Sequence, residues 1–284
     1  MIVVTGASGN VGRPLVAALA AAGEQVTTVS RRPSEGAPPP GVRHRAADLS
    51  RAADLKTAFE GADALYLLVP GGGGTLDPRD IVDTAAACGV GRIVLQSSQV
   101  TGTRPEAASH AVLREFESAV RASGTEWTIL RPGGFASNAF LWADSLRSAH
   151  TVAAPFGDVA LPVVDPADIA EVAAAVLRGD GHAGRTYVLT GPSAVSPREQ
   201  AGAFAEVLGT SVRFEELSRD EARAGMLRFM PEPVVEGTLS VLGEPTSEER
   251  RVSPDVERVL GRPARPFSAW AERNAAAFRR PDAR

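Results

Sequence analysis

The chain has 284 residues, of which 44% are hydrophobic and 23% charged, as in globular rather than disordered proteins. Its 30 basic and 34 acidic residues leave a net charge of −4, which argues against nucleic-acid binding as the main function. No apolar run approaches the roughly 18–20 residues that cross a bilayer. The single cysteine excludes a disulfide framework, and strand-like residues begin at Ile2. We therefore expect a cytoplasmic protein with no nucleic-acid, membrane or metal partner.

The first 30 residues have the pattern of a βαβ unit. A short β-branched run at residues 2–4 ends at a glycine-rich loop. Apolar residues at helical spacing follow over 12–22, and a second strand pattern covers 25–29. A strand, a glycine loop, a helix and a strand in this order predict the start of a parallel sheet.

The same alternation continues through the first half of the chain. Strand patterns occur at 42–45, 64–69, 92–96 and 125–130, and helical patterns at 55–60, 78–88 and 107–123. Strict alternation predicts an α/β fold with a doubly wound parallel sheet, Rossmann-like, with right-handed crossovers.

After Arg131 the alternation is less regular. A helix is expected after Asp165, a late strand at 187–190, and mostly helical structure over 196–284 with one short strand at 212–216. We interpret residues 1–190 as the Rossmann core, with an excursion toward the substrate side at about 133–162. Residues 191–284 are interpreted as a smaller substrate-binding cap that is not an independent domain.

The glycine loop predicts a dinucleotide site. Gly6 allows a tight turn, Gly9 lets the backbone approach a pyrophosphate, and Gly12 lets the helix pack closely. The helix N-terminus adds partial positive charge for the phosphates. The residues expected to contact a cofactor here are Gly6, Ser8, Gly9, Asn10, Val11 and Gly12.

The end of the second strand indicates which dinucleotide is bound. An acidic residue there would bond the 2′-hydroxyl of NADH, whereas Arg31 and Arg32 stand there instead. Because guanidinium pairs well with phosphate, NADPH (or NADP+) is favoured over NADH. The alternative is that both arginines are solvated loop charges. Asp48 and Leu49 are expected beside the adenine, although Asp48 could equally cap the next helix.

Several motifs together resemble the short-chain dehydrogenase/reductase superfamily, in its atypical, NmrA-like NAD(P)H-binding branch. They are the glycine loop at 5–12, Ser30-Arg31-Arg32, Asp48-Leu49, Gln96-Ser97-Ser98, residues 130–135 with Asn138, and residues 259–262 with Trp270. The resemblance implies that the nicotinamide lies over the ends of the fourth and fifth strands. It would then contact Leu68, Val69, Pro70, Ser97, Ser98, Pro132, Gly133, Gly134 and Phe135.

The superfamily's usual acid is a tyrosine followed four residues later by a lysine, and this pair is absent. Tyr66 is followed by Pro70 and Tyr187 by Gly191, while Lys56 is the only lysine. His110 and Arg114 occupy the expected position, with a spacing that would put both on one helical face.

Three hypotheses for this position remain open. His110 could be a general acid, with Arg114 anchoring the cofactor ribose. His110 could instead bond the substrate or be a surface residue, with the proton coming from water or substrate. Under the third hypothesis no reaction occurs, and the protein is a nucleotide-responsive binding module. Ser97 and Ser98 are further catalytic candidates because they follow a strand at its carboxyl end, where ligands bind, although a loop-stabilising role is equally open.

Aromatic residues are scarce, yet three lie between 135 and 142. We predict that Phe135, Phe140 and Trp142 bind a flat hydrophobic substrate, with Met226 and Met230 on a lid helix over 219–230. Ordinary core packing would explain the same cluster.

The sequence thus predicts an NADPH-dependent oxidoreductase that reduces a ketone or quinone carbonyl of an aromatic, polyketide-like compound, as in antibiotic biosynthesis. Without a phenol acid, the proton would come from His110, solvent or the substrate's own phenol. The alternative is a non-catalytic, NmrA-like regulatory protein that senses NADP(H).

Overall fold

The strand patterns of the sequence form two separate parallel sheets. A computed structural model describes residues 1–32, 38–69 and 76–280; the predicted contact at Pro70 lies outside them. The strands are β1 (Ile2–Thr5), β2 (Val26–Ser30), β3 (Val42–Ala46), β4 (Ala64–Leu68), β5 (Arg92–Gln96), β6 (Glu126–Pro132), β7 (Thr151–Pro155), β8 (Arg185–Leu189) and β9 (Arg213–Leu217). A seven-stranded sheet has the order β3-β2-β1-β4-β5-β6-β8, and β7 pairs with β9.

All neighbours in the larger sheet run parallel, for example Val4 beside Tyr66 and Tyr66 beside Val94. The order reverses between β1 and β4, which is the point where ligands bind in open α/β sheets. The predicted Rossmann-like fold class is confirmed.

The helices alternate with the strands as the sequence indicates. They are α1 (Gly12–Ala21), α2 (Ala52–Phe59), α3 (Pro78–Ala87), α4 (Val100–Thr103), α5 (Ala111–Ala122), α6 (Ala143–Ala149), α7 (Pro166–Arg178), α8 (Pro197–Leu208), α9 (Arg219–Met226), α10 (Glu232–Gly243), α11 (Ser247–Arg250), α12 (Asp255–Leu260) and α13 (Phe267–Arg273). Short 3₁₀ helices cover Ala108–His110, Ala136–Trp142 and Ala275–Phe278.

Local sequence sets several of the helix ends. The Asp77 carboxylate accepts the backbone N–H groups of Arg79 (2.9 Å) and Asp80 (3.1 Å), and Pro78 opens α3. Ser196 and Glu199 form a reciprocal capping box at the start of α8.

The structure differs from the sequence patterns at three elements. The strand β7 was not predicted. The expected helix over 107–123 begins as the 3₁₀ helix Ala108–His110, and His110 is also the N-cap of α5, with backbone angles outside the α region (φ −118°, ψ 12°). The lid helix expected over 219–230 ends at Met226, and residues 227–229 form a turn.

The chain divides into two compact units. Unit 1 comprises Met1–Pro132, Pro166–Leu189 and Asp255–Arg262; unit 2 comprises Gly133–Asp165, Thr190–Pro254 and Pro263–Arg284. Relative to the expected boundaries, α12 belongs to unit 1 rather than to the cap.

Each unit has its own apolar core. In unit 1, Leu65 and Leu67 alternate with Tyr66 along β4, and they face a cluster that includes Phe59 and Phe116 from α2 and α5. α1 and α7 pack together, and α7 lies against β4, β5 and β6. The core of unit 2 is an aromatic cluster of Phe204, Phe267, Trp270 and Phe278.

The glycine loop allows α1 to pack closely against the end of β1. A Cβ atom at Gly12 would lie 2.2 Å from the Gly6 carbonyl oxygen and 2.6 Å from the Ala7 Cα atom. Backbone atoms cannot move aside as a flexible side chain would, so only glycine fits at this position.

We expect Gly12→Ala to lower the free energy of unfolding by about 1–3 kcal/mol, because the added methyl overlaps backbone. Gly202→Ala is the matched control, since Gly202 lies exposed in α8 and a Cβ atom added there would meet no other atom within 4 Å. The control should be neutral or stabilising by about 0.5–1 kcal/mol. Urea unfolding measures both, and equal effects would contradict the packing argument.

Candidate active site

The glycine loop presents exposed backbone at the start of α1. Gly6 adopts a left-handed conformation (φ +64°), and its carbonyl accepts the Gly9 N–H at 3.0 Å. Ser8, Gly9 and Asn10 are exposed, whereas Val11 is buried. The first turn of α1 contains no acidic residue. This arrangement fits the pyrophosphate of a dinucleotide, which the loop and the helix N-terminus would hold.

The switch point next to this loop is held together by a threonine. Thr5 Oγ1 accepts the Leu68 N–H at 2.7 Å, and its hydroxyl donates to the Leu68 carbonyl at 3.0 Å. A Cβ atom at Gly6 would approach the Leu68 side chain to 2.7 Å. Leu68 and Val69 are half-buried. β4 therefore ends directly beside the glycine loop.

Arg31 and Arg32 are both exposed, and no acidic residue stands at the end of β2. Hydrogen bonds from Ser50, and to a smaller extent the charge of Arg31, hold the pKa of Asp48 below its ordinary value. The Asp48 carboxylate accepts the Ser50 N–H (3.0 Å) and hydroxyl (2.8 Å), so it stabilises the turn before α2 rather than capping α2 itself. Leu49 packs against the core of unit 1.

The two candidate serines lie in different environments. Ser97 is buried, and its hydroxyl donates to Glu117 Oε1 at 2.7 Å. Ser98 is half-buried, and its Oγ accepts the Val100 N–H at 3.3 Å. These contacts favour a structural role for Ser97 and leave Ser98 as the serine nearer to solvent.

Glu117 is the acceptor of a buried cluster that the sequence patterns did not predict. Its carboxylate also accepts Arg131 Nε (2.9 Å), Arg131 Nη2 (2.6 Å) and Arg121 Nη1 (3.0 Å), while the Thr101 hydroxyl lies 2.8 Å away. Burial raises the pKa of Glu117, but the hydrogen bonds from Arg131, Ser97 and Thr101 outweigh it and lower the value to about 2. The carboxylate is therefore ionised at ordinary pH.

A signal for Glu117 was present in the sequence. Glu117 lies between Leu113 and Val120 on the apolar stripe of α5, where a charged residue needs a partner. Its partner Arg131 belongs to the Leu130-Arg131-Pro132 motif. Only the fold shows that the two meet.

His110 and Arg114 lie close together, although not on one continuous helical face. Ser109 Oγ lies 2.9 Å from His110 Nδ1, and Arg114 Nη1 donates to the Ala107 carbonyl at 2.9 Å. Burial, and then the charge of Arg114, lower the pKa of His110 below its ordinary value. The imidazole is therefore neutral at pH 7.

Neither tyrosine is placed as an acid beside a lysine. Tyr66 is fully buried, its hydroxyl donates to the Gln96 side chain, and burial raises its pKa. The Tyr187 hydroxyl pairs with His182 Nδ1 at 2.8 Å, and His182 precedes β8 at the amino edge of the sheet. Both tyrosine hydroxyls are thus engaged by partners other than lysine.

The residues at 132–135, predicted as nicotinamide contacts, belong to different units. Pro132 ends β6, and its carbonyl accepts the Gln99 N–H at 2.9 Å. Gly133, Gly134 and Phe135 begin unit 2, where the Gly134 carbonyl accepts the Val164 N–H at 2.8 Å and Phe135 is half-buried.

Phe140 and Trp142 take part in the aromatic packing of unit 2. Phe140 stacks on Phe278 (5.5 Å between ring centroids) and meets Trp270 edge-on, yet remains 41% exposed. Trp142 donates its Nε1–H to the Ala153 carbonyl at 3.0 Å. Core packing thus accounts for Trp142, while Phe140 stays partly exposed at the surface.

Met226 and Met230 pack on a small cluster formed by Ala222, Val235 and Leu239. Met230 lies beyond the end of α9, and its N–H reaches the Met226 carbonyl at 2.9 Å. The two methionines therefore share a cluster but not a helix.

The described residues contain neither a metal cluster nor a membrane-spanning helix. Among them, no group of three or more His, Cys, Asp or Glu side chains could hold a metal ion. No helix in the described ranges is both long and apolar enough to cross a membrane.

Known proteins are similar to this chain in sequence and in structure. A family described as NAD(P)H-binding matches residues 6–180. The chain is 41% identical to the (4-alkanoyl-5-oxo-2,5-dihydrofuran-3-yl)methyl phosphate reductase of Streptomyces griseus, over 98% of this chain and 99% of that protein.

Two solved structures extend the comparison. The NADPH complex of a quinone oxidoreductase from Escherichia coli is 25% identical with a TM-score of 0.82, covering 96% of this chain and 99% of that one. The negative transcriptional regulator NmrA, bound to NADP, is 20% identical with a TM-score of 0.74 over 95% and 94% of the two chains, a likeness of fold alone.

The resemblance seen in the sequence is confirmed by a family match over more than half of the chain and by a full-length relative. The chain belongs to this NAD(P)H-binding family and is an NAD(P)H-dependent oxidoreductase.

Proposed function

We propose that the protein uses NADPH to reduce a flat, electron-poor carbonyl compound, namely a quinone or an aromatic ketone with a neighbouring phenol. The observation that carries this proposal is the engagement of both tyrosines away from any lysine. Without a phenol acid, the acceptor must stabilise the negative charge that it gains. Quinones do so by conjugation, and a hydrogen-bonded phenol does so in an aryl ketone.

We assign one group of residues to binding the cofactor and another to orienting the acceptor. Bound NADPH supplies a hydride from its reduced nicotinamide. The glycine loop would hold the pyrophosphate, and Arg31 and Arg32 would pair with the 2′-phosphate. Ser98 and the neutral His110 are proposed as hydrogen-bonding groups for the acceptor, with the proton coming from solvent or the substrate. Phe135, Phe140, Met226 and Met230 are proposed as apolar contacts.

A second candidate substrate is an acylated butenolide carrying a phosphate, which the 41% identity to the Streptomyces griseus reductase favours. That substrate name describes a ring double bond conjugated with both the ring carbonyl and the alkanoyl carbonyl. Hydride addition to the ring carbon leaves the charge shared by two carbonyl oxygens. The chemical demand on the protein is therefore the same as for a quinone.

We expect Arg31→Ala and Arg32→Ala each to weaken NADPH binding about tenfold, because a charge-assisted pair with the 2′-phosphate is lost. NADH binding should not change, since NADH lacks that phosphate. Arg185→Ala is the control, because Arg185 is exposed at the amino edge of the sheet. Fluorescence titration measures all affinities. Tighter binding of NADH than NADPH to the unchanged protein would overturn the cofactor assignment.

Substrate class is tested by NADPH oxidation with a panel of acceptors. We expect turnover with quinones, with aryl ketones that have a neighbouring phenol, and with an acyl butenolide phosphate. Simple dialkyl ketones should react at least about a hundredfold more slowly, because an unassisted carbonyl needs the acid that is missing here. Equal rates for dialkyl ketones and quinones would contradict the proposal.

A separate measurement concerns the proton source. Because its pKa is lowered, His110 is neutral near pH 7, and a reaction that needed imidazolium would slow as pH rises through that lowered pKa. We expect instead that kcat is flat between about pH 6 and 8. In His110→Gln, kcat should fall less than tenfold, whereas removing a general acid lowers the rate about 10²–10⁴-fold. A loss in that larger range, with a kcat that falls as pH rises, would identify His110 as the acid.

A further inference from the structure

We infer that Glu117 is a positioning residue for the nicotinamide half of the cofactor: its buried carboxylate fixes the turn at residues 97–101 to the end of β6. This inference rests on the proposed function, because it concerns the same cofactor site. Glu117 itself would not touch the cofactor.

The donors to Glu117 come from four segments of unit 1. Ser97 follows β5, Thr101 belongs to α4, Arg131 belongs to β6, and Arg121 belongs to α5. The Glu117 side chain is only 3% exposed. A single carboxylate therefore joins these four segments.

The backbone of the turn is tied to the same strand. The Ser97 N–H donates to the Leu130 carbonyl at 2.8 Å, and the Gln99 N–H donates to the Pro132 carbonyl at 2.9 Å. Ser98 lies between these two tethers. The Thr101 hydroxyl, shared with Glu117, also lies 2.7 Å from the Ser98 carbonyl oxygen. The position of Ser98 thus depends on the side chains that Glu117 holds.

The packing around Arg131 also restricts the position of its guanidinium. A Cβ atom at Gly102, in α4, would lie 2.4 Å from Arg131 Nη1, so α4 packs closely against the guanidinium. Arg131 in turn meets both oxygens of Glu117 through Nε and Nη2. This two-point contact favours one orientation of the Glu117 carboxylate.

Fold stability alone is a weak reason for such a cluster. Apolar residues of similar size, placed where a buried ion pair stands, often stabilise a fold as well as the ion pair does. A polar cluster that is fully hydrogen-bonded does, however, select a single arrangement of the groups around it. The arrangement that it selects here is that of the β5 and β6 ends.

Those strand ends belong to the half of the sheet that the adenosine does not use. A doubly wound sheet binds the two halves of a dinucleotide on either side of its switch point. Arg31 and Arg32 mark the β1–β3 half for the phosphorylated adenosine. The β4–β6 half, which contains the Ser97 turn, remains for the nicotinamide.

The test compares two ligands on Glu117→Gln. NADPH contains both halves of the cofactor, whereas adenosine 2′,5′-bisphosphate contains only the phosphorylated adenosine half. We expect the Kd for NADPH to rise about tenfold, as for loss of a charged buried hydrogen-bond acceptor, and the Kd for the bisphosphate to stay the same. Glu115→Gln is the matched control, since Glu115 is exposed two residues earlier on α5, and neither Kd should change.

A second variant keeps the inference testable if Glu117→Gln does not fold. Ser97→Ala combined with Thr101→Val removes two donors but retains the Glu117–Arg131 ion pair, and it should show a smaller loss that is again selective for NADPH. Unchanged NADPH binding in either folded variant, or equal weakening of both ligands, would overturn the inference. Failure of the unaltered protein to bind either ligand would instead overturn the proposed function, so the two failures are distinguishable.

Discussion

The close packing of Gly12 against the Gly6 carbonyl is the constraint on which the proposed cofactor site depends. It brings the first turn of α1 against the end of β1, where any side chain at position 12 would overlap the backbone. Thr5 adds the link to β4 at the switch point. The result is a helix N-terminus with exposed backbone next to the reversal of strand order, the arrangement that binds an anionic dinucleotide.

The proposed chemistry follows from the absence of the usual tyrosine–lysine pair from the sequence. Burial and the Gln96 contact remove Tyr66 from acid catalysis, and His182 engages Tyr187 at the opposite edge of the sheet. His110 is held neutral by burial and by Arg114. A site of this kind is suited to positioning an acceptor that already stabilises negative charge, which connects quinones and acyl butenolides in one proposal.

The fold and the family were predictable from the sequence, but several site details were not. Alternating strand and helix patterns in unit 1 predicted the sheet, because each element there has its own periodicity. Met226 and Met230 were expected on one helix, since their spacing suits a helix and nothing local marks its end. The role of Glu117 was missed because its acceptor capacity is used by Ser97 and Arg131, which are distant in the chain.

By itself, the sequence determined what depends on neighbouring residues: the glycine loop, the paired arginines after β2, and the absence of a tyrosine–lysine pair. Only the tertiary structure decided that Phe140 stacks on Phe278 and that one buried carboxylate joins α5 to the ends of β5 and β6. The physical reason is that burial and hydrogen-bond partners are set by residues far apart in the chain, and local periodicity contains no information about them.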